Sequence, residues 1–171
     1  NALLVDAARA GSSTIMFASL EMIIDSASAS NLLSELAKDT LVVGARLPGH
    51  NFSDDGGRCV LDGTTTPWNT LAVWSVEKLQ LTGFLSVADG LHNEKVAGVE
   101  EVSVIALHQK MSPATSKAKV VKVPGIEWQT NWSDLQRMEA HRIKMESKFH
   151  RANEQQKVQS SKSFISSTVL S

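Results

Sequence analysis

The 171-residue chain has no tyrosine, four prolines, only 5% aromatic residues and a single cysteine. With Cys59 alone, an internal disulfide, a paired-cysteine metal knuckle and a disulfide-stapled secreted scaffold are excluded, and a reducing, cytoplasmic compartment is the expectation. No run of about 18 apolar residues occurs, because Glu21 and Asp25 break the most hydrophobic stretch, 15–24, so a membrane span is not expected. No signal-peptide pattern opens the chain. The phosphate-cradling GxxxxGKS/T, a GxGxxG after a strand and the GxSxG elbow are also missing, which removes P-loop, dinucleotide-binding and serine-hydrolase readings.

What remains is the balance of an ordinary globular protein, with 42% apolar and 20% charged residues. Such a chain buries roughly two thirds of its unfolded surface and needs no staple. Charge is uneven: residues 1–116 carry 7 basic and 13 acidic side chains, residues 117–171 carry 10 and 5. The C-terminal cations are interleaved with Glu139, Glu146 and Glu154, the pattern of a solvated helix face, so nucleic acid is not an expected partner.

Periodicity predicts a helix over 2–10 stopped by Gly11, a buried strand at Thr14–Ala18, a helix at about Ser30–Lys38 and a continuous buried strand at Thr40–Ala45. Residues 47–68 read as one long loop, the kind that serves as a binding loop or lid. An amphipathic segment follows over Thr70–Leu81, closed by Thr82-Gly83-Phe84. A helix is expected at Gly98–Lys110, a strand at Lys119–Val123 before Pro124-Gly125, and a long helix at 134–156, on which Met138, Met145 and Phe149 read as a packing seam. This order predicts an α/β fold with a mainly parallel sheet layered with helices. It divides into an α/β domain over 1–133, a C-terminal helix over 134–157 and a flexible, serine-rich tail over 158–171. The narrow apolar stripe of the long helix suits a protein partner.

Asn1, Ala7, Gly11 and a strand ending at Phe17, then Ser19 and Glu21, Thr82-Gly83-Phe84, Glu100-Glu101 and a strand with Trp128 beyond it follow one another in a specific order. That order resembles the latter part of a family 2 glycosyltransferase, of the GT-A nucleotide-sugar fold. The resemblance implies a nucleotide-sugar donor, a hydroxyl acceptor and an incomplete N-terminal half. It places Ser19 and Glu21 at the donor diphosphate, where the family carries two aspartates, and it implies a divalent ion, Mn or Mg, held by Glu21 with His141 or His108 completing the site. One of Glu100 and Glu101 would be the catalytic base. An inverting transfer needs one carboxylate near the acceptor hydroxyl, whereas two carboxylates opening a helix also compensate its dipole.

The loop from Asp62 through Thr65 and Trp68 to Asn69 offers hydroxyls, an amide and an indole that suit a sugar acceptor. The turn at Pro48–Asn51 with Asp54 and Asp55 reads as exposed turn polarity before it reads as a metal site, and Cys59 with His50 is a poor nucleophile pair. A different reading is a non-catalytic binding or scaffold subunit that keeps a trimmed glycosyltransferase fold, since the first metal aspartate is replaced by Ser19.

Overall fold

A computed structural model describes residues 1–52, 57–86, 100–129, 136, 139, 142–143 and 164–169. The elements are α1 (Ala2–Arg9), β1 (Thr14–Ala18), β2 (Met22–Ile24), α2 (Ser26–Ser34), β3 (Thr40–Ala45), β4 (Gly57–Val60), β5 (Leu71–Ser75), α3 (Val76–Leu79), α4 (Glu100–Met111), β6 (Lys117–Lys122), β7 (Ile126–Trp128) and β8 (Phe164–Val169).

Six strands form one sheet in the order β1-β5-β3-β6-β8-β4, and β2 pairs with β7 in a small second sheet. β3, β6 and β8 run parallel at the core of the large sheet; β5 and β1 on one side and β4 on the other are antiparallel additions. The fold is therefore α/β as expected, with a mixed sheet in place of a mainly parallel one. β1 is the clearest case. Its run Thr-Ile-Met-Phe-Ala was expected to be covered on both faces, yet it lies at the sheet edge, antiparallel to β5, with its side chains only half-buried.

Alternation along the central strands sorts side chains into two cores. Leu41, Val42, Ala72, Trp74, Ala118 and Val120 meet Leu4 of α1, Leu79 of α3 and Ile105 of α4 on one face. Val43, Ala45, Leu71, Val73 and Val121 meet Leu32 of α2, Trp68 and the small sheet on the other. Both faces of β3 and β5 are covered, which is why these segments are uninterrupted in apolar residues.

Four expectations are corrected. The second helix spans Ser26–Ser34, not 30–38: Asp25 accepts a 2.7 Å hydrogen bond from the Ser28 amide and starts the helix ahead of its leucines. The segment after Thr70 is strand β5 followed by the single turn α3, because a Leu-Ala-Val-Trp run buried on both faces favours a strand over a helix stripe. The loop 47–68 contains strand β4. Finally, residues 164–169 of the supposed flexible tail are β8, which pairs with β6 on one side and β4 on the other and buries Ile165 completely. Serine-rich composition suggested a tail, but the ladders to β6 and β4 organise this segment as a strand and seat Ile165 in the core. Of the long helix at 134–157, residues 136, 139, 142 and 143 are helical, and Glu139 accepts from Arg142 across one turn at 2.6 Å; the rest lies outside the described residues.

Candidate functional site

Of the residues expected to carry chemistry, Ser19, Glu21, Asn69, Glu100 and Glu101 lie at one end of the sheet, where β1 ends and β5 begins. The Ser19 amide donates to the Thr70 carbonyl at 2.8 Å, extending the β1–β5 ladder by one residue and joining the Ser19 turn to the Asn69-Thr70 step. Within that turn the Met22 amide donates back to the Ser19 carbonyl at 3.0 Å, and the Ser19 hydroxyl donates to the Glu21 carboxylate. The Glu21 carbonyl accepts from the Gln129 amide at 2.9 Å, so the small sheet fastens the turn from its far side.

Asn69 is the hub. Its backbone amide donates to Glu101 Oε1 at 2.7 Å, its side-chain Nδ2 donates to Glu100 Oε1 at 3.0 Å, and its Oδ1 accepts from Trp74 Nε1 at 2.9 Å. Two consecutive helical residues point about 100° apart, so they seldom share a ligand; here a backbone donor and a side-chain donor of one residue reach both. The two carboxylates differ in setting. Glu101 is 7% exposed among Val102 and Ile105 of its own helix, whereas Glu100 is half-buried. A buried carboxylate is tolerated where it is hydrogen-bonded, and the Asn69 amide supplies that partner.

Behind this hub lies an aromatic and backbone brace. Phe84 packs edge-on against Phe17 and Trp74, at ring-centre distances of 5.5 and 5.3 Å. The Asn1 side chain accepts from the Phe84 amide at 2.8 Å and donates to its carbonyl at 2.9 Å. Gly83 has φ +62°, and a Cβ there would sit 2.8 Å from Asn1 Oδ1, so the turn requires glycine twice over. His108, proposed above as a metal ligand, belongs to this brace. It is 2% exposed, its Nε2 is 2.9 Å from the Thr82 hydroxyl, and burial holds its pKa below the usual histidine range, with the Lys78 charge acting in the same direction.

The loop residues expected to line an acceptor are spent on the loop itself, apart from Asn69. Asp62 Oδ1 accepts from the Thr64 amide at 2.7 Å and from the Thr65 amide at 3.0 Å, and the Thr65 hydroxyl donates to the Val60 carbonyl at 2.6 Å. This is the local capping that makes Asp and Thr turn formers. Trp68 is 5% exposed, donates from Nε1 to the Gly63 carbonyl at 2.9 Å and stacks on His50 with ring centres 3.8 Å apart. His50 in turn accepts at Nδ1 from the Leu47 amide at 2.9 Å and meets the Thr66 carbonyl through Nε2 at 3.0 Å; burial lowers its pKa. It is thus a loop pin rather than a partner for Cys59. The Cys59 thiol lies 3.7 Å from the Ile165 carbonyl, and burial raises its pKa away from the thiolate.

For a divalent ion, the 19–21 turn offers one carboxylate, Glu21, and the Ser19 hydroxyl bonded to it; no group of three His, Cys, Asp or Glu that could hold a metal is found among the described residues. One carboxylate and one hydroxyl fit Mg or Mn only when substrate phosphates supply further oxygens. His141 and the Asp54-Asp55 pair lie outside the described residues. No helix among the described residues is long and apolar enough to cross a membrane.

What sequence reasoning missed is the role of Asn69 as the link between its own groups: the signal available was a polar residue immediately before a buried strand, which many turns share. Compared with protein-family models, curated proteins and solved structures, the chain matches none.

Proposed function

We propose that this chain is a glycosyltransferase-like enzyme of GT-A type that transfers a sugar from a nucleotide-diphospho-sugar donor to a hydroxyl acceptor. The observation that carries the reading is the Asn69–Thr70 step, which ties Glu100 and Glu101 on one side and the Ser19–Glu21 turn on the other into a single cluster. These two acidic motifs are separated by 79 residues or more in the chain, between Glu21 and Glu100, and a sugar transfer needs them together.

The burial difference between the two carboxylates supports a division of roles. Glu100 is the base: its carboxylate takes the acceptor hydroxyl proton as that oxygen bonds to the anomeric carbon and the nucleoside diphosphate departs with the electron pair of the broken bond. Glu101 is a positioning residue, holding the Asn69 backbone so that the Asn69 amide keeps Glu100 oriented. Glu21 and Ser19 lie at the diphosphate, and a bound Mn or Mg would be held there by Glu21 and would supply charge neutralisation for the leaving diphosphate. Asn69 contacts the acceptor side, with Asp62, Thr65 and Trp68 shaping the loop that presents it. The lone Cys59 accords with a cytoplasmic setting.

A thermal-shift panel of nucleoside diphosphates and nucleotide sugars, with and without Mn or Mg, tests the reading. A base-selective rise is expected, worth about 2.7 kcal/mol for a ligand at 100 times its dissociation constant. Glu21→Ala should remove that rise, and with the donor so identified Glu100→Gln should lower turnover at least about a hundredfold. A flat panel from folded protein, or unchanged turnover in Glu100→Gln, would sink the proposal. The flat panel favours the second reading, a non-catalytic scaffold subunit with a protein partner on the 134–157 helix, for which the replacement of a metal aspartate by Ser19 is the specific support.

A further inference from the structure

Trp74 is fixed by its own strand and core. In β5 it stands opposite Ile15 of β1 and Val42 of β3, it shares a core with Val102 and Ile105 of α4, and it is fully buried. The Phe84 ring meets it edge-on at 5.3 Å. An indole N–H buried in this way needs an acceptor, and Nε1 finds it in Asn69 Oδ1 at 2.9 Å.

A carboxamide has two unlike ends, and each neighbour here suits only one of them. The indole N–H donates and accepts nothing, whereas an ionised carboxylate accepts and donates nothing. With Oδ1 on Trp74, Nδ2 falls on Glu100 Oε1, 3.0 Å away. Turning the amide over would set donor against donor at Trp74 and acceptor against acceptor at Glu100, which leaves a buried donor unsatisfied. The Asn69 backbone is held separately, through its amide and Glu101 Oε1 at 2.7 Å. Glu100 Oε1 is thereby occupied, and Oε2 accepts no hydrogen bond among the described residues.

We propose that Trp74 is a positioning residue: its N–H orients the Asn69 carboxamide, which holds Glu100 Oε1 and leaves Oε2 as the atom that takes the acceptor proton. The proton step rests on the glycosyl-transfer reading; the orientation of the amide by Trp74 does not. In that step the proton leaves the acceptor hydroxyl for Oε2 as the hydroxyl oxygen bonds to the anomeric carbon, and the electron pair of the broken carbon–oxygen bond departs with the nucleoside diphosphate. A base gains from a locked neighbour because a carboxylate free to rotate is out of reach part of the time.

Replacing Trp74 by benzothienylalanine, which keeps both fused rings and puts sulfur in place of the N–H, tests this in the full chain beside Trp74→Phe. Nitrogen-edited NMR of the Asn69 side-chain amide should show a proton protected from exchange in the parent chain, and that protection should fall about fivefold or more in both replacements, as loss of one neutral hydrogen bond gives. Unchanged protection in both overturns the proposal, whatever the activity. With donor and acceptor in hand, both replacements should lower kcat about tenfold and leave KM within about twofold. Added to Glu100→Gln, either should lower kcat no further, because Trp74 acts through Glu100; a further drop of about tenfold would mean that Trp74 acts by packing alone, and overturns the proposal. A chain without turnover removes the proton step together with the glycosyl-transfer reading, while the amide protection still decides the orientation. Should Trp74→Phe fail to fold, the benzothienyl replacement preserves the packing and carries both readouts.

Discussion

The two halves of the large sheet are built on different principles. β1, β5 and β3 come from residues 14–75 and join by antiparallel ladders, and their shared end carries Ser19, Asn69 and the contact to Glu100 and Glu101. β6, β8 and β4 come from residues 57–169, and β8 reaches β6 in parallel and β4 in antiparallel pairing from near the end of the chain. The first half presents carboxylates held by one asparagine, the second a row of cations in which Lys119 and Arg58 stand on either side of Ser166. Thus one continuous sheet gathers carboxylates beside one half and cations on the other, the first through the contacts of Asn69 with α4 and the second through a late strand.

The comparison breaks most severely if the late strand is lost. Ile165 is 1% exposed and lies in the same core as Val104, Ile105 and Ala118, so Ile165→Ala should cost about 3 kcal/mol or more, read from the urea midpoint. If β8 were a dispensable tail, the midpoint would not move.

A smaller effect is expected at Gly44, the residue of β3 over which the Pro67 backbone passes. A Cβ there would stand 2.6 Å from Pro67 Cβ and 2.8 Å from Pro67 Cα, and the chain on both sides is packed. Gly44→Ala should therefore destabilise by about 2–3 kcal/mol through overpacking, and it should disturb Trp68 and Asn69 before it disturbs the cation row. Chemical shifts of the tryptophan indole protons against those of Ser166 would show whether the damage stays in the first half. Equal perturbation of both would deny that the halves are separable.

The mildest test uses pH. His50 braces the loop around Thr66 and Trp68 and His108 braces the Thr82 turn, and burial lowers both pKa values relative to the unfolded value of 6.5. The unfolded chain then binds protons that the folded chain refuses, so stability is full above about pH 6.5 and falls as pH drops below it toward the folded pKa values. Melting temperature should hold between pH 7 and 8 and decline below 6.5, and His108→Gln should reduce the slope. A profile that is flat through this window would mean the histidines titrate alike in both states.

The uninterrupted run Thr40–Ala45, the strand expected at Lys119–Val123 and found at Lys117–Lys122, the helix expected at Gly98–Lys110 and found from Glu100, and the Gly11 stop are legible in the sequence, because burial or helical spacing leaves a local mark. Ser26–Ser34 is shifted by a cap that composition alone does not rank above Asn31, and Thr65 and Asp62 look like ligand groups because hydroxyls and carboxylates serve turns and substrates alike. The acidic pair at Glu100-Glu101 is visible at once; its division into a buried and a half-buried carboxylate is not, since that depends on where Asn69 arrives from 31 and 32 residues away.

The sequence by itself determined that this is an α/β chain without disulfides, with short apolar strands and an acidic entry to its fourth helix, because those properties follow from residue type and spacing within a few turns of chain. The tertiary structure alone decided that Asn69 meets Glu100 and Glu101 while its neighbour Thr70 meets Ser19, and that Lys119, Ser166 and Arg58 stand in line, because strand register is set by pairing between segments whose order in space no local pattern encodes.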